Sequence, residues 1–311
     1  PIPNENNTKL YEKYQKLAEQ ERGVHFVGRL ANYKYFNMDA AILNALKFFD
    51  LHFNGSFSST RDGPIATFST HLRKRRTREF LVVVRCGDSS LHPRWIDGQP
   101  EERNFDLLVS YFGNNETVAR RFTKQAEYFE HRPGRKWHEM REIFVSRPEL
   151  LENYRAFWLP DDDLSIQQES VVRMFHLFSA FNLSIAQPAL TRNSQHSFKI
   201  TLKNPSSLLR YTNYVEIMAP ILTQAALRRV LPTFHGAQTG WGIDFVWSKM
   251  FSRELAILDD IQVAHMRKVG SGSLYKGLIL RPMQEMLRIL KKYKISRAMD
   301  MKDLGQIVHT R

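Results

Sequence analysis

Three consecutive carboxylates, Asp161, Asp162 and Asp163, follow an apolar run from Tyr154 to Pro160. Such a run reads as a buried strand, so the aspartates stand where that strand surfaces. Carboxylate oxygens gathered there are the hard ligands that Mg²⁺ or Mn²⁺ takes, and these ions usually keep water and substrate phosphates in their other positions. The chemistry to expect is capture of a divalent cation together with a nucleotide diphosphate. A solvated acidic turn or a helix N-cap would carry the same three letters, so the surroundings must decide.

Other polar residues also stand alone in apolar company. Glu216 interrupts a strand-like segment over 213–220, and a buried carboxylate without a partner is costly, so it has either a partner or a task. Asp244 sits between bulky groups in the segment 240–245, where glycines permit a tight turn that presents Trp241 and Asp244 together to a cleft. His265 ends a short strand-like segment over 261–264. Each residue alone also reads as a satisfied structural polar group; their order along the chain is harder to dismiss.

Several chemistries lack support. Neither GxGxxG nor GxxxxGK[ST] occurs, so dinucleotide-cofactor and P-loop readings have no basis, and GxSxG and HExxH are absent too. Cys86, the single cysteine, lies next to a strand and reads as a small core residue. It also rules out an internal disulfide framework or a Cys-rich zinc site, and it fits a reducing, cytoplasmic compartment.

The elements that must hold these residues alternate. Strands are expected over 80–85, 105–112, 156–159, 184–186, 198–202 and 214–218. Helices are expected over 117–130, 168–181 and 220–230, the last opened by Pro220. Alternation of this kind predicts an α/β fold with a mainly parallel sheet covered by helices. Ligands collect at the carboxyl ends of strands in such sheets, where the aspartate triplet lies. The chain divides into residues 1–52, with helical patterns over 8–22 and 38–49 around an apolar segment at 25–28; a polar, glycine-containing linker over 53–78 that ends in the basic run from Arg73 to Arg78; the alternating region over 79–270; and a tail over 271–311. The tail carries a basic amphipathic helix, with Arg288, Lys291, Lys292 and Lys294 beside apolar residues at helical spacing.

The net charge of +13 leaves anionic substrates and anionic lipid as partners. Nucleic acid is not expected, because no binding module and no interleaved aromatic–basic pattern occurs. The tail helix reads either as lying on an acidic membrane surface or as docked on the core with a solvated cationic back. No run reaches the roughly 18 to 20 apolar residues of a membrane span, and the polar start lacks a signal peptide's hydrophobic region. A first residue of Pro rather than Met is expected of a piece cut from a longer polypeptide.

Four segments resemble, in register, a GT-A-like glycosyltransferase family of plant and bacterial proteins: FWLPDDDL (157–164), IAQPAL (185–190), VEIMAP (215–220) and GWGIDF (240–245). The family pattern runs FLWDEDL, ISQPAL, VEMMAP and HGWGLDF. Where it has a histidine before GWGLD this chain has Thr239, so no role passes to a histidine there. The resemblance covers about 79–270. It implies that Asp161, Asp163 and His265 hold Mn²⁺ or Mg²⁺, and that Asp244 or Glu216 is the base that deprotonates an acceptor hydroxyl, with Asp244 preferred. Asp162, Lys136, Trp241 and Gln187 would bind the nucleotide sugar.

Residues 3–50, above all the segment from Phe26 to Asp39, resemble the C-terminal end of UDP-galactopyranose mutase, the flavoenzyme that makes UDP-galactofuranose. That family's pattern, GRLGxYRYxDMD, places its flavin-contacting arginine at Arg29 and its phosphate-contacting tyrosine at Tyr35, with Asn37 in place of the usual aspartate. The mutase's dinucleotide-binding portion is missing here, so no flavin is expected on this chain alone, and the segment reads as the tail of a fused or associated mutase domain. Together the two resemblances imply a metal-dependent galactofuranosyltransferase. It would extend a bacterial surface polysaccharide such as O-antigen from a UDP-sugar donor onto a lipid-linked glycan acceptor, at the inner face of the cytoplasmic membrane. A flavin-free, metal-dependent nucleotide-sugar mutase and a non-catalytic carbohydrate-binding scaffold are the alternatives.

Overall fold

The computed structural model describes residues 5–18, 20, 68–70, 78–251, 254–268, 278, 281–296 and 300–308. The chain divides into two units, Pro1–Gly63 and Pro64–Arg311. In the first, the described element is helix α1 (Glu5–Ala18), which overlaps the pattern expected over 8–22. The helix expected over 38–49, the segment 25–28, and Arg29, Tyr35 and Asn37 lie outside the described residues.

Among the described residues, the second unit is built on an eleven-stranded sheet. Its strands are β1 (Phe68–Thr70), β2 (Phe80–Cys86), β3 (Phe105–Tyr111), β4 (Tyr128–His131), β5 (Ala156–Trp158), β6 (Leu164–Ser165), β7 (Ile185–Leu190), β8 (Leu209–Thr212), β9 (Ile221–Thr223), β10 (Leu255–His265) and β11 (Asp303–Ile307). They lie in the order β1-β4-β3-β2-β5-β9-β7-β10-β8-β11, with β6 paired to β10 off that path. The helices are α2 (Glu116–Gln125), α3 (Lys136–Ser146), α4 (Pro148–Asn153), α5 (Gln168–Ala180), α6 (Gln224–Val230), α7 (Ile243–Met250) and α8 (Pro282–Tyr293).

Strand β2 shows why the sheet sits where it does. Phe80, Val82 and Val84 pack on one side with Val171, Met174 and Phe175 of α5. Leu81 and Val83 pack on the other with Trp137, Met140 and Phe144 of α3. A strand covered on both faces reads as an unbroken apolar run, and each such side chain contributes about 1.5–3 kcal/mol by leaving water. The α/β class and the helix cover are as expected. The parallel pairing is concentrated in the half β4-β3-β2-β5, while β9 runs antiparallel to both β5 and β7, and β8 runs antiparallel to β10 and β11.

Local departures have local causes. The helix expected over 117–130 stops at Gln125, and 128–131 joins the sheet beside β3, where Phe129 and Glu130 are buried. Pro220 precedes strand β9 rather than opening a helix; Thr223 caps α6 by accepting from Ala226 N at 3.2 Å. The segment 214–218 forms no strand, and 199–201 is a 3₁₀ turn. Within the stretch read as linker, Phe68–Thr70 pairs antiparallel with β4. The segments beyond residue 270 join the same sheet and core: β11 pairs with β8, and Met286 and Leu290 of α8 pack against Tyr214 and Phe245. No helix among the described residues is long and apolar enough to cross a membrane.

Candidate active site

The end of β5 is extended by hydrogen bonds from Leu159 N to Pro220 O (3.0 Å) and from Asp161 N to Met218 O (2.8 Å). The chain then returns as β6, whose antiparallel pairing sets Leu164 opposite His265 at the end of β10. This places Asp163 Oδ2 3.2 Å from His265 Nε2. One ligand atom from each of Asp161, Asp163 and His265 lies within 4.8 Å of the other two. His265 Nδ1 donates to the Gln195 carbonyl at 2.8 Å. A carbonyl only accepts, so that bond fixes the ring orientation and turns Nε2 toward the carboxylates. Burial alone would lower the His265 pKa, but the hydrogen bond and charge of Asp163 outweigh it and raise it to about 8. Burial would likewise raise the Asp163 carboxyl, yet His265 holds it below its ordinary value.

Lys136, in the first turn of α3, donates to Asp161 Oδ1 at 2.5 Å and to the carbonyl of Leu159 at 3.1 Å. Asp162 turns the other way. Its Oδ2 accepts from Gly87 N at 3.0 Å and its Oδ1 from Arg267 at 2.8 Å, so it ties the triplet to the loop after β2.

Glu216 and Asp244 face the same cleft from other elements. Glu216 lies in the irregular segment before β9, and its backbone N donates to Gln187 Oε1 at 2.6 Å. Its Oε2 is buried with no hydrogen-bond partner among the described residues. Burial, then the charge of Asp244, pushes its pKa up to about 7. Asp244 sits in the first turn of α7 and accepts from the Tyr214 hydroxyl at 2.6 Å. Burial raises its pKa to about 6 against that hydrogen bond. The turn before α7 needs its glycines: Gly240 and Gly242 have φ of 83° and 100°, and a Cβ on Gly240 would lie 2.1 Å from Trp137.

Asp161, Asp162, Asp163, Glu216, Asp244, His265, Lys136 and Trp241 thus line one cleft of about 580 Å³. Gln187 does not line it; this side chain is fully buried and supports Glu216 from behind, which corrects its assignment to nucleotide-sugar contact. Three contributors escaped the sequence reading. Arg267, two residues after His265, links Asp162 to Ser89. Arg85 is buried at the end of β2 and donates to the carbonyls of Arg132 and Gly134, just ahead of Lys136. Glu285 of α8 accepts from Gln238 N (2.6 Å), Thr239 N (2.7 Å) and the Thr239 hydroxyl, fixing the approach to the Trp241–Asp244 turn. One signal was available for the last: Glu285 is a lone acid in a basic helix.

The donor set fits a divalent cation. Two carboxylates and an imidazole suit Mn²⁺ at least as well as Mg²⁺, and the imidazole is oriented by its second nitrogen as metal-binding histidines are. On Asp163 the cation would take the place of the His265 hydrogen bond.

The family profile of UDP-galactopyranose mutase matches residues 1–35. A probable UDP-galactopyranose mutase of Klebsiella pneumoniae is 42% identical over 67 residues, 22% of this chain and 17% of that protein. The UDP-galactopyranose mutase of Mycoplasma genitalium is 47% identical over 47 residues, 15% of this chain and 12% of that protein. The chain therefore spans less than a fifth of the length of either relative. Among solved structures, GalNAc-T7 with UDP, GalNAc and Mn²⁺ superposes with a TM-score of 0.50 at 8% identity, covering 70% of this chain and 49% of that one. The fold is that of the GT-A nucleotide-sugar glycosyltransferases.

Proposed function

We propose that the chain is a divalent-metal-dependent glycosyltransferase that takes a UDP-sugar. The observation that carries this reading is the convergence of Asp161, Asp163 and His265 with the buried acids Glu216 and Asp244 in one cleft of a GT-A fold. A cation held by the first three would neutralise charge developing on the departing diphosphate. Lys136 and Arg267 add positive charge on the same side. Asp244 is the base for the acceptor hydroxyl: the Tyr214 hydroxyl orients its carboxylate, and its raised pKa brings it nearer to neutrality, where a general base works best. Glu216 lines the same cleft and would bind a hydroxyl of the sugar or the acceptor. Trp241 offers an aromatic wall next to Asp244.

The donor proposed is UDP-galactofuranose. Its support is the mutase-like segment at the start of the chain: a mutase makes this scarce isomer, and a transferase tethered to it meets a raised local concentration. The acceptor proposed is a lipid-linked glycan of a bacterial surface polysaccharide, at the inner face of the cytoplasmic membrane. The exposed Arg288, Lys291 and Lys292 on α8, with Lys294 at its C-cap, match an anionic bilayer there. The test is transfer by the purified chain with Mn²⁺, comparing UDP-galactofuranose with UDP-galactopyranose and scoring the glycan product. Turnover of the furanose donor that requires an acceptor supports the proposal. Use of the pyranose donor alone rejects the donor, and donor loss without any acceptor would point to a mutase instead.

A further inference from the structure

Each carboxylate of the triplet faces a basic side chain of the chain itself. Lys136 binds Asp161 at 2.5 Å, Arg267 binds Asp162 at 2.8 Å, and His265 lies 3.2 Å from Asp163. His265 belongs to the candidate cation-binding set, but Lys136 and Arg267 do not. The Lys136 side chain is 10% exposed and completes its shell with the carbonyls of Leu159 and Ile217. Arg267 spans from Asp162 to the carbonyl and hydroxyl of Ser89. Both cations line the cleft.

Two effects follow and oppose one another. The pairs keep three adjacent carboxylates from repelling each other, so the site stands assembled in advance. A divalent cation arriving alone must, however, share Asp161 with an ammonium already on its Oδ1, and like charges this close weaken each other's hold. A nucleoside diphosphate reverses the balance. Its negative charge compensates the added cation, and its oxygens give Lys136 and Arg267 new acceptors.

We infer that Lys136 and Arg267 are resident counter-ions that make the site bind a free divalent cation weakly and bind cation and nucleoside diphosphate together tightly. The inference rests on reading Asp161, Asp163 and His265 as the place where that cation binds. It makes cation uptake conditional on donor, so that the chain does not hold metal idly.

The experiment is Mn²⁺ titration of the whole chain, followed by loss of the free-ion electron paramagnetic resonance signal, with and without UDP. Wild type should gain at least about tenfold in Mn²⁺ affinity when UDP is present, within the usual range of coupling between two ligands. Lys136→Met should bind Mn²⁺ alone about tenfold more tightly than wild type and lose most of the gain from UDP. Arg267→Met, which leaves the bonds to Leu159 and Ile217 intact, should move the same way by about threefold, and it keeps the test decisive if the buried lysine proves necessary for folding. Variants that bind Mn²⁺ alone no more tightly than wild type would overturn the inference and leave the site assignment standing. A wild-type chain that takes up no Mn²⁺ even with UDP would remove the site assignment itself.

Discussion

Five of the acids that line the cleft live in two different electrostatic settings. At the β5 end, each aspartate of the triplet has a basic partner. Across the cleft, Glu216 and Asp244 have no ion pair among the described residues, and burial pushes both pKa values upward. The same functional group is therefore specialised by its neighbours. Carboxylates with basic partners suit a divalent cation; the buried Glu216 and Asp244, which lack an ion pair among the described residues, sit nearer the pH at which a carboxyl exchanges its proton.

The strongest way to break this contrast is to remove a paired acid. Asp163→Ala takes away one candidate ligand and the hydrogen bond from His265 Nε2. Transfer should fall by at least about a thousandfold, the upper range for losing one preorganised electrostatic group. Mn²⁺ uptake in the presence of UDP should vanish with it. Retained uptake would mean that the cation sits elsewhere. Removing the proposed base comes next. Asp244→Asn keeps the size of the side chain and can still hydrogen-bond Tyr214, so donor KM should hold while kcat drops by about 10²–10⁴. A change confined to KM would reassign Asp244 to binding.

How far these positions were legible beforehand depends on the kind of signal each residue leaves. The triplet could be read because an apolar run ending in acids is a local pattern. The glycine turn before Asp244 was legible for a similar reason, since Gly240 and Gly242 both adopt positive φ. Gln187 was misassigned because its motif sits on β7, and only the fold shows that the side chain points at the Glu216 backbone rather than into the cleft. The strand expected around Glu216 is absent because the segment from Tyr214 to Ala219 is held by side chains and by the β5 extension instead of by a ladder. Arg267 and Arg85 act through carbonyls and carboxylates far away in sequence, and no spacing rule announces such partners.

The unpaired acids also differ from the paired ones in their pH behaviour. A base with a raised pKa is active only once deprotonated, so kcat/KM should climb as pH rises through about 6 to 7 and then level off; a flat profile in Asp244→Asn would trace the limb to that residue. For stability the sign is opposite. The folded Glu216 holds its proton up to about 7, above the 4.5 of a free glutamate, so its contribution is fully present at low pH and is lost as pH rises through that window. Glu216→Gln removes a burial cost on the order of 3 kcal/mol at most. The variant should melt several degrees higher than wild type at pH 8, match it near pH 4, and lose activity. A lower melting temperature at pH 8 would show that the carboxylate is satisfied after all.

The smallest expected effect concerns a third kind of acid, Glu285, which is buried yet satisfied entirely by neutral donors. Its two oxygens hold Gln238 N, Thr239 N and the Thr239 hydroxyl, and Met286 next to it packs against Gly242 at the start of α7. Helix α8 therefore braces the turn that carries Trp241 and Asp244 without touching the proposed cation site. Glu285→Gln keeps the acceptor oxygen and should cost less than Glu285→Ala, which leaves two backbone N–H groups unpaired at about 1–3 kcal/mol each. In the alanine variant kcat should fall about tenfold while Mn²⁺ and UDP affinities stay at wild-type levels, because the turn is loosened and the triplet is not. If metal affinity fell along with kcat, the two settings would be coupled through α8, and the division between a cation-holding side and a proton-handling side would have to be redrawn.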